Sequence, residues 1–134
     1  MRTAGVIAFP ERTIRVVAAT LALAAGALHL AQIGVHADEG IEFATFFLIV
    51  GLLQLAGAIA LVALPSSSRA LRLVALVGIA GSLVTVAIWA VDRTVGLPVG
   101  AQPGVPETIG LADAAADLFQ LFTALFLALW VWRP

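Results

Sequence analysis

The stretch LVALVGIAGSLVTVAIWAV, residues 73–91, decides the fold of this chain. It runs for 19 residues without a charged side chain, and a helix needs about 20 mainly apolar residues to cross the hydrocarbon core of a bilayer. Lipid offers no water to satisfy backbone N–H and C=O groups, and the strands of a closed barrel are much shorter than this stretch. Residues 73–91 therefore predict a transmembrane helix.

Three further stretches have the same character, and we expect spans at about residues 14–35, 41–64 and 109–132. Hydrophobic residues make up 62% of the 134 residues and charged residues only 11%, which is far from the composition of a soluble domain and excludes a soluble enzyme. We therefore predict an all-α fold: an integral membrane four-helix antiparallel bundle. Residues 1–134 would form a single transmembrane domain with one long external loop at 92–108.

Arginine positions set the expected orientation. Six of the seven arginines flank the same side of the predicted spans: Arg2, Arg12, Arg15, Arg69, Arg72 and Arg133. Because basic residues near span ends are retained in the cytoplasm, we expect both the N and C termini to be cytoplasmic and the acidic face to be external. The expected location is the bacterial cytoplasmic (inner) membrane, where the protein would be multi-pass and surrounded by the lipid bilayer.

Composition also limits the partners. A net charge of -1 gives no basic field for nucleic acid, and the absence of cysteine removes disulfides and thiol chemistry. No glycine-rich phosphate-binding motif is present in the sequence, so we expect neither nucleic acid nor nucleotide as a ligand.

Two local patterns bear on how the helices begin and pack. Small residues at Ala18, Ala22 and Gly26 recur every four positions, a spacing that lets helix backbones approach closely in lipid. Ser68 stands just before the third span and is expected to cap its N-terminus.

Polar side chains inside the spans share single helix faces, because they are spaced three or four residues apart. The stripes are His29, Gln32, His36 on span one, then Ser82, Thr85, Trp89, Asp92 on span three, and Asp113, Asp117, Gln120 on span four. Counting about 1.5 Å per residue from the cytoplasmic arginines places His29, Thr85 and Asp117 at one depth, with Gln54 slightly below. The sequence thus predicts an outward-facing polar vestibule.

These residues are the candidates for binding. Imidazole and carboxylate ligands suit a divalent transition metal such as zinc, copper or iron, and the metal candidates are His29, His36, Glu39, Asp113 and Asp117. For a small polar ligand, the candidates are Gln54, Thr85, Asp92, Arg93 and Glu107. No compact ligand motif such as HExxH occurs, so the metal hypothesis depends on predicted convergence of distant residues.

Some of the same residues are also explained by a structural role in place of ligand binding. His29 and Asp117 could form a buried pair that holds spans one and four in register. Arg93 could clamp the vestibule acids, bind an anionic group, or extend to the interface and pair with Glu107. The phenylalanines of spans two and four are interpreted as lipid-facing or packing residues: Phe43, Phe46, Phe47, Phe119, Phe122 and Phe126.

Three classes of function remain open from the residues alone. The first is a non-enzymatic protein that binds a metal ion or small polar ligand in the vestibule. The second is a proton-coupled small transporter or channel that acts as a homodimer, although the cytoplasmic half of the spans is almost uniformly apolar. The third is an accessory subunit of a larger membrane complex.

Four segments, ALHLAQIGVHADE, FFLIVGLLQLAGA, DRTVGLPVG and PETIGLADAAADL, together resemble a group of small bacterial four-helix membrane proteins of unassigned function. The resemblance covers about residues 27–117 and is sharpest at RTVGLP, residues 93–98. It implies that the family-type positions are His29, His36, Arg93, Glu107 and Asp113. Such relatives would carry Glu where this chain has Asp117, and the resemblance implies no activity.

Overall fold

The computed structural model describes residues 9–36, 38–100 and 102–133, which contain four helices and no strand. Each helix is long and apolar enough to cross a membrane. The helices are α1 (Glu11–Val35), α2 (Ile41–Ala63), α3 (Arg69–Thr94) and α4 (Leu111–Val131). The all-α fold class and the four candidate spans expected from the sequence are confirmed.

The helix ends differ from the predicted span boundaries by up to four residues. α3 continues past both ends of residues 73–91 and takes in Arg72 and Arg93, because a long basic side chain can reach polar surroundings while its backbone stays helical. Ser68 caps this helix as expected, since its side-chain oxygen accepts a hydrogen bond from the backbone N–H of Ala70 at 3.1 Å. α4 begins at Leu111, just beyond the extended backbone of Gly110.

Packing places α1 between α2 and α4. α3 packs against α4 and more lightly against α2, whereas no Cα atom of α3 lies within 8 Å of one in α1. The backbones of α1 and α2 approach closely at Gly26, where an added Cβ atom would lie 3.0 Å from the carbonyl oxygen of Gly51. Glycine is needed at this crossing because a larger side chain would separate the two helices.

A cluster of small and aliphatic side chains closes one half of the bundle. All four helices contribute to this apolar plug, which consists of Ala18, Ala19, Ala22, Ala58, Leu61, Leu71, Ala75 and Leu127. This half of the bundle is packed with apolar side chains and has little room for a polar site.

Arg15 lies beside the apolar plug and is buried. Its Nε and Nη2 donate to the carbonyl oxygen of Leu61 at 2.9 and 2.6 Å, and Nη2 also donates to that of Leu64 at 2.6 Å. The last carbonyls of a helix have no partner within the helix, and a cation near them is favourable. Arg15 therefore caps the C-terminus of α2, a role that its position in the sequence did not reveal.

Candidate functional site

A cavity of about 300 Å³ lies at the end of the bundle away from the apolar plug. We call it the vestibule. Eight of the ten candidate ligand residues line it: His29, His36, Thr85, Asp92, Arg93, Glu107, Asp113 and Asp117. Gln54 lies behind His29 as its hydrogen-bond partner, and Glu39 lines a neighbouring crevice next to His36.

The imidazole of His29 is held in one orientation. The side chain is 4% exposed, and Nδ1 lies 2.9 Å from the carbonyl oxygen of Ala25 and 3.0 Å from Oε1 of Gln54. Both partners are acceptors, so Nδ1 carries the proton and donates. In the neutral ring Nε2 is then an acceptor, and it has no hydrogen-bond partner among the described residues.

Thr85 and Asp117 add further acceptors on the wall of the same cavity. The Thr85 hydroxyl donates to the carbonyl oxygen of Gly81 at 3.0 Å, which leaves its oxygen free to accept. One carboxylate oxygen of Asp117 accepts from Nε2 of Gln120 at 3.2 Å, and the other has no hydrogen-bond partner in the described part of the chain. We call His29, Thr85 and Asp117 the vestibule floor.

His29 and Asp117 do not pair directly. Within the described residues, no hydrogen bond or ion pair joins them, and each is bonded to a different amide side chain. The carbonyl of Ala25, one turn earlier in α1, and Gln54 in α2 together fix the ring by its Nδ1. His29 and Asp117 line one cavity, as the depth count predicted. Among the described residues, however, no hydrogen bond between them fixes α1 against α4.

Arg93 organises the other side of the vestibule. Its guanidinium is bonded to Asp92 at 2.8 Å, to Glu107 at 2.5 Å and to Asp113 at 2.8 Å, and its side chain is only 7% exposed. We call these four residues the rim cluster. Of the interpretations left open by the sequence, the structure agrees with a clamp on the vestibule acids, which includes the pairing with Glu107.

The rim cluster joins α3, α4 and the loop between them. The backbone N–H of Glu107 donates to the carbonyl oxygen of Asp92 at 3.3 Å, so the returning loop is tied to the end of α3. Earlier in the loop, the N–H of Gly100 donates to a carboxylate oxygen of Glu42 at 3.1 Å, which ties the loop to α2. The described part of the loop is thus tied to α2 and α3, and Leu97, Val99 and Glu107 from it line the vestibule.

His36 belongs to a group at the mouth that shares Glu107 with the rim cluster. Its Nδ1 lies 2.5 Å from a carboxylate oxygen of Glu39, and its ring stacks on Phe47 with centroids 4.9 Å apart. Ligand atoms of His36, Glu39 and Glu107 lie within 4.8 Å of one another. We call these three residues the mouth group. Of the five metal candidates, His36 and Glu39 belong to it, whereas no such group includes His29, Asp113 or Asp117 within the described ranges.

The wall of the vestibule is aromatic, which the sequence interpretation missed. Phe43, Phe46 and Phe47 of α2 and Trp89 of α3 line the cavity. Trp89 was expected in the polar stripe of span three, whereas the three phenylalanines were interpreted as lipid-facing or packing residues. The signal was available: Phe43 and Phe47 are four residues apart and share a helix face.

Comparison with known protein families, curated proteins and solved structures finds no significant match to this chain. The resemblance to small bacterial membrane proteins therefore stays a prediction. The functional assignment rests on the vestibule floor, the rim cluster and the aromatic wall.

Proposed function

We propose that this chain is a multi-pass protein of the bacterial inner membrane that binds a small ligand in its vestibule, without catalysis. The observation that carries the proposal is the cavity of about 300 Å³ with His29, Thr85 and Asp117 on its wall beside aromatic rings. Small-molecule sites are concave and mostly apolar, with a few convergent polar groups that fix the orientation of the ligand. The vestibule has these properties.

The proposed orientation is antiparallel, with both termini in the cytoplasm and the vestibule facing outward. Two contacts support it: Arg133 donates to the carbonyl oxygen of Phe9, and Arg15 near the start of α1 caps the end of α2. Basic residues near span ends favour the cytoplasmic side. The acid-rich rim cluster would then lie at the external side.

Binding is favoured over transport by the apolar plug. Ala18, Leu61, Leu71, Ala75 and Leu127 are almost fully buried and fill the bundle on the side of Arg15. A polar solute would have to leave the vestibule through this packed layer, at the cost of losing its hydrogen bonds. The homodimeric transporter is therefore less well supported than binding. The accessory subunit remains a separate alternative.

The test is to fill the cavity. Ala116 is buried and lines the vestibule, whereas Ala80 is exposed on α3. Native mass spectrometry of the protein extracted from membranes in mild detergent should detect a bound small molecule in the wild type and in Ala80→Phe, and none in Ala116→Phe. A wild type without any adduct, or an adduct that persists in Ala116→Phe, would count against the vestibule as a binding site.

The mouth group supports a second candidate, a divalent transition metal such as zinc, copper or iron. One imidazole and two carboxylates suit such an ion, and the ligand atoms of His36, Glu39 and Glu107 already lie within 4.8 Å of one another. Glu107 is also bonded to Arg93, so a bound metal would have to share or replace that ion pair. Elemental analysis should then find one metal per chain in the wild type and in the control Asp38→Asn, and none in His36→Ala. A wild type free of metal would remove this candidate.

A further inference from the structure

We propose that the vestibule ligand is an organic ammonium ion, with a protonated primary amine at the vestibule floor and an apolar body against the aromatic wall. The inference rests on the proposed function and assigns the class of ligand. It follows from the hydrogen-bonding roles at the floor, from the absence of an ion-pair partner for Asp117 among the described residues, and from the side chains of the wall.

The floor presents acceptors. Nε2 of the neutral His29 ring accepts because Nδ1 donates to Ala25 and Gln54, and the Thr85 oxygen accepts because its proton is given to Gly81. Asp117 has one carboxylate oxygen without a hydrogen-bond partner in the described chain. A primary ammonium group carries three N–H donors and no acceptor. It is therefore complementary to these three side chains.

Charge favours a cation. Asp117 is 6% exposed within α4 and forms no ion pair among the described residues. Arg93 is bonded to Asp92, Glu107 and Asp113, and among the described residues it makes no hydrogen bond to Asp117. A carboxylate in the hydrocarbon zone requires a partner. A bound ammonium ion supplies that partner, while an anionic ligand would meet more carboxylates than cations.

The wall favours an organic body over a bare metal ion. Phe43, Phe46 and Phe47 come from α2 and Trp89 from α3, and these two helices touch each other least of the neighbouring pairs. The resulting space between the helices is lined by rings, which attract cations through their faces and also bury apolar groups. In the described part of the chain, His29 and Asp117 belong to no group of three converging His, Asp or Glu ligand atoms of the kind seen at the mouth.

The probes are phenethylamine, which is protonated at neutral pH, and phenethyl alcohol, its uncharged analogue of similar shape. Binding is measured by isothermal titration calorimetry on the full chain in mild detergent, with protein-free micelles as the blank. We expect the amine to bind about tenfold or more tightly than the alcohol, since hydrogen bonds to a charged group are the stronger kind.

Three variants separate the possible explanations. Asp117→Asn keeps the side-chain shape and should weaken amine binding by about tenfold or more, with little effect on the alcohol. Asp38→Asn removes an exposed acid outside the vestibule and should leave both affinities unchanged. Asp117→Glu keeps the charge and should retain preference for the amine. Circular dichroism confirms that each variant is helical before titration.

The outcomes distinguish this inference from the proposed function. Equal binding of amine and alcohol, or amine binding unchanged in Asp117→Asn, overturns the ammonium assignment. Absence of amine binding to the wild type overturns it too. None of these results decides whether the vestibule binds a ligand. That question is answered by native mass spectrometry, which shows whether Ala116→Phe loses the adduct found on the wild type.

Discussion

Replacing Arg93 with Met should destabilise the fold strongly, because it leaves three carboxylates without their shared cation. The Arg93 side chain is 7% exposed and lies 2.5–2.8 Å from its partners in the rim cluster. Removing one partner of a buried ion pair costs about 3–5 kcal/mol, whereas an exposed pair contributes about 0–1 kcal/mol. We therefore expect Arg93→Met to lower the free energy of unfolding by about 3–5 kcal/mol.

The measurement is reversible unfolding in mixed micelles of mild detergent and dodecyl sulfate, followed by circular dichroism. Arg72→Met removes an exposed arginine of the same helix and serves as the control, with an expected change within about 0.5 kcal/mol. A double-mutant cycle with Asp113→Asn should give a coupling energy of about 1.5–3 kcal/mol for the pair. Because carboxylates outnumber cations in the cluster, Asp113→Asn alone should cost less than Arg93→Met.

A small effect would refute this reasoning. If Arg93→Met changes the free energy of unfolding by less than about 1 kcal/mol, or if the cycle gives no coupling, the cluster behaves as a solvated surface group. The rim cluster would then not hold the loop over the vestibule. If Arg72→Met lowers the free energy of unfolding as much as Arg93→Met does, the rim cluster is not the cause of the loss.

Three further predictions use the same unfolding assay. Arg15→Met should destabilise the protein by about 2–3 kcal/mol, because it uncaps the end of α2, whereas the exposed Arg12→Met should have little effect. Ser68→Ala should cost about 1 kcal/mol through loss of the N-cap of α3, and an unchanged stability would contradict that role. Gly26→Val should cost about 1–3 kcal/mol, since its first added atom would already lie 3.0 Å from the carbonyl oxygen of Gly51; a neutral result would show that α1 and α2 can separate freely.

The fold was predictable because the bilayer imposes a length on each element. Residues 73–91 alone indicate a spanning helix, and the structure places them inside α3. The helix ends were less predictable, since hydropathy marks where apolar side chains stop and not where backbone hydrogen bonding stops. Arg69 and Thr94 lie beyond the apolar stretch and are still helical.

The depth of the site residues was predictable, whereas their partners were not. His29, Thr85 and Asp117 line one cavity, as expected for straight helices of known rise per residue that cross the same layer. Which atoms meet depends on helix rotation and on the path of the loop. For this reason the bond from Arg93 to Asp113 and the bond from His29 to Gln54 required the structure.

The aromatic wall was missed for a physical reason as well. A phenylalanine side chain on a spanning helix can face lipid or line a cavity, so the residue type alone does not indicate its direction. Phe43 and Phe47 both pack against His36, with ring centroids 6.4 and 4.9 Å apart. The position of this polar ring on the neighbouring helix shows that the two phenylalanines face inward.

The rim cluster and the vestibule floor differ in how they would treat an incoming cation. At the rim, Asp92, Glu107 and Asp113 are each bonded to Arg93 at 2.5–2.8 Å. A cation that stops there must displace a buried guanidinium, at a cost similar to that of breaking the ion pair. At the floor, Asp117 has no such competitor among the described residues. If the vestibule binds a cation as proposed, the excess of carboxylates at the rim would attract it, while the ion pairs of Arg93 would disfavour its retention there and make the floor the more favourable site.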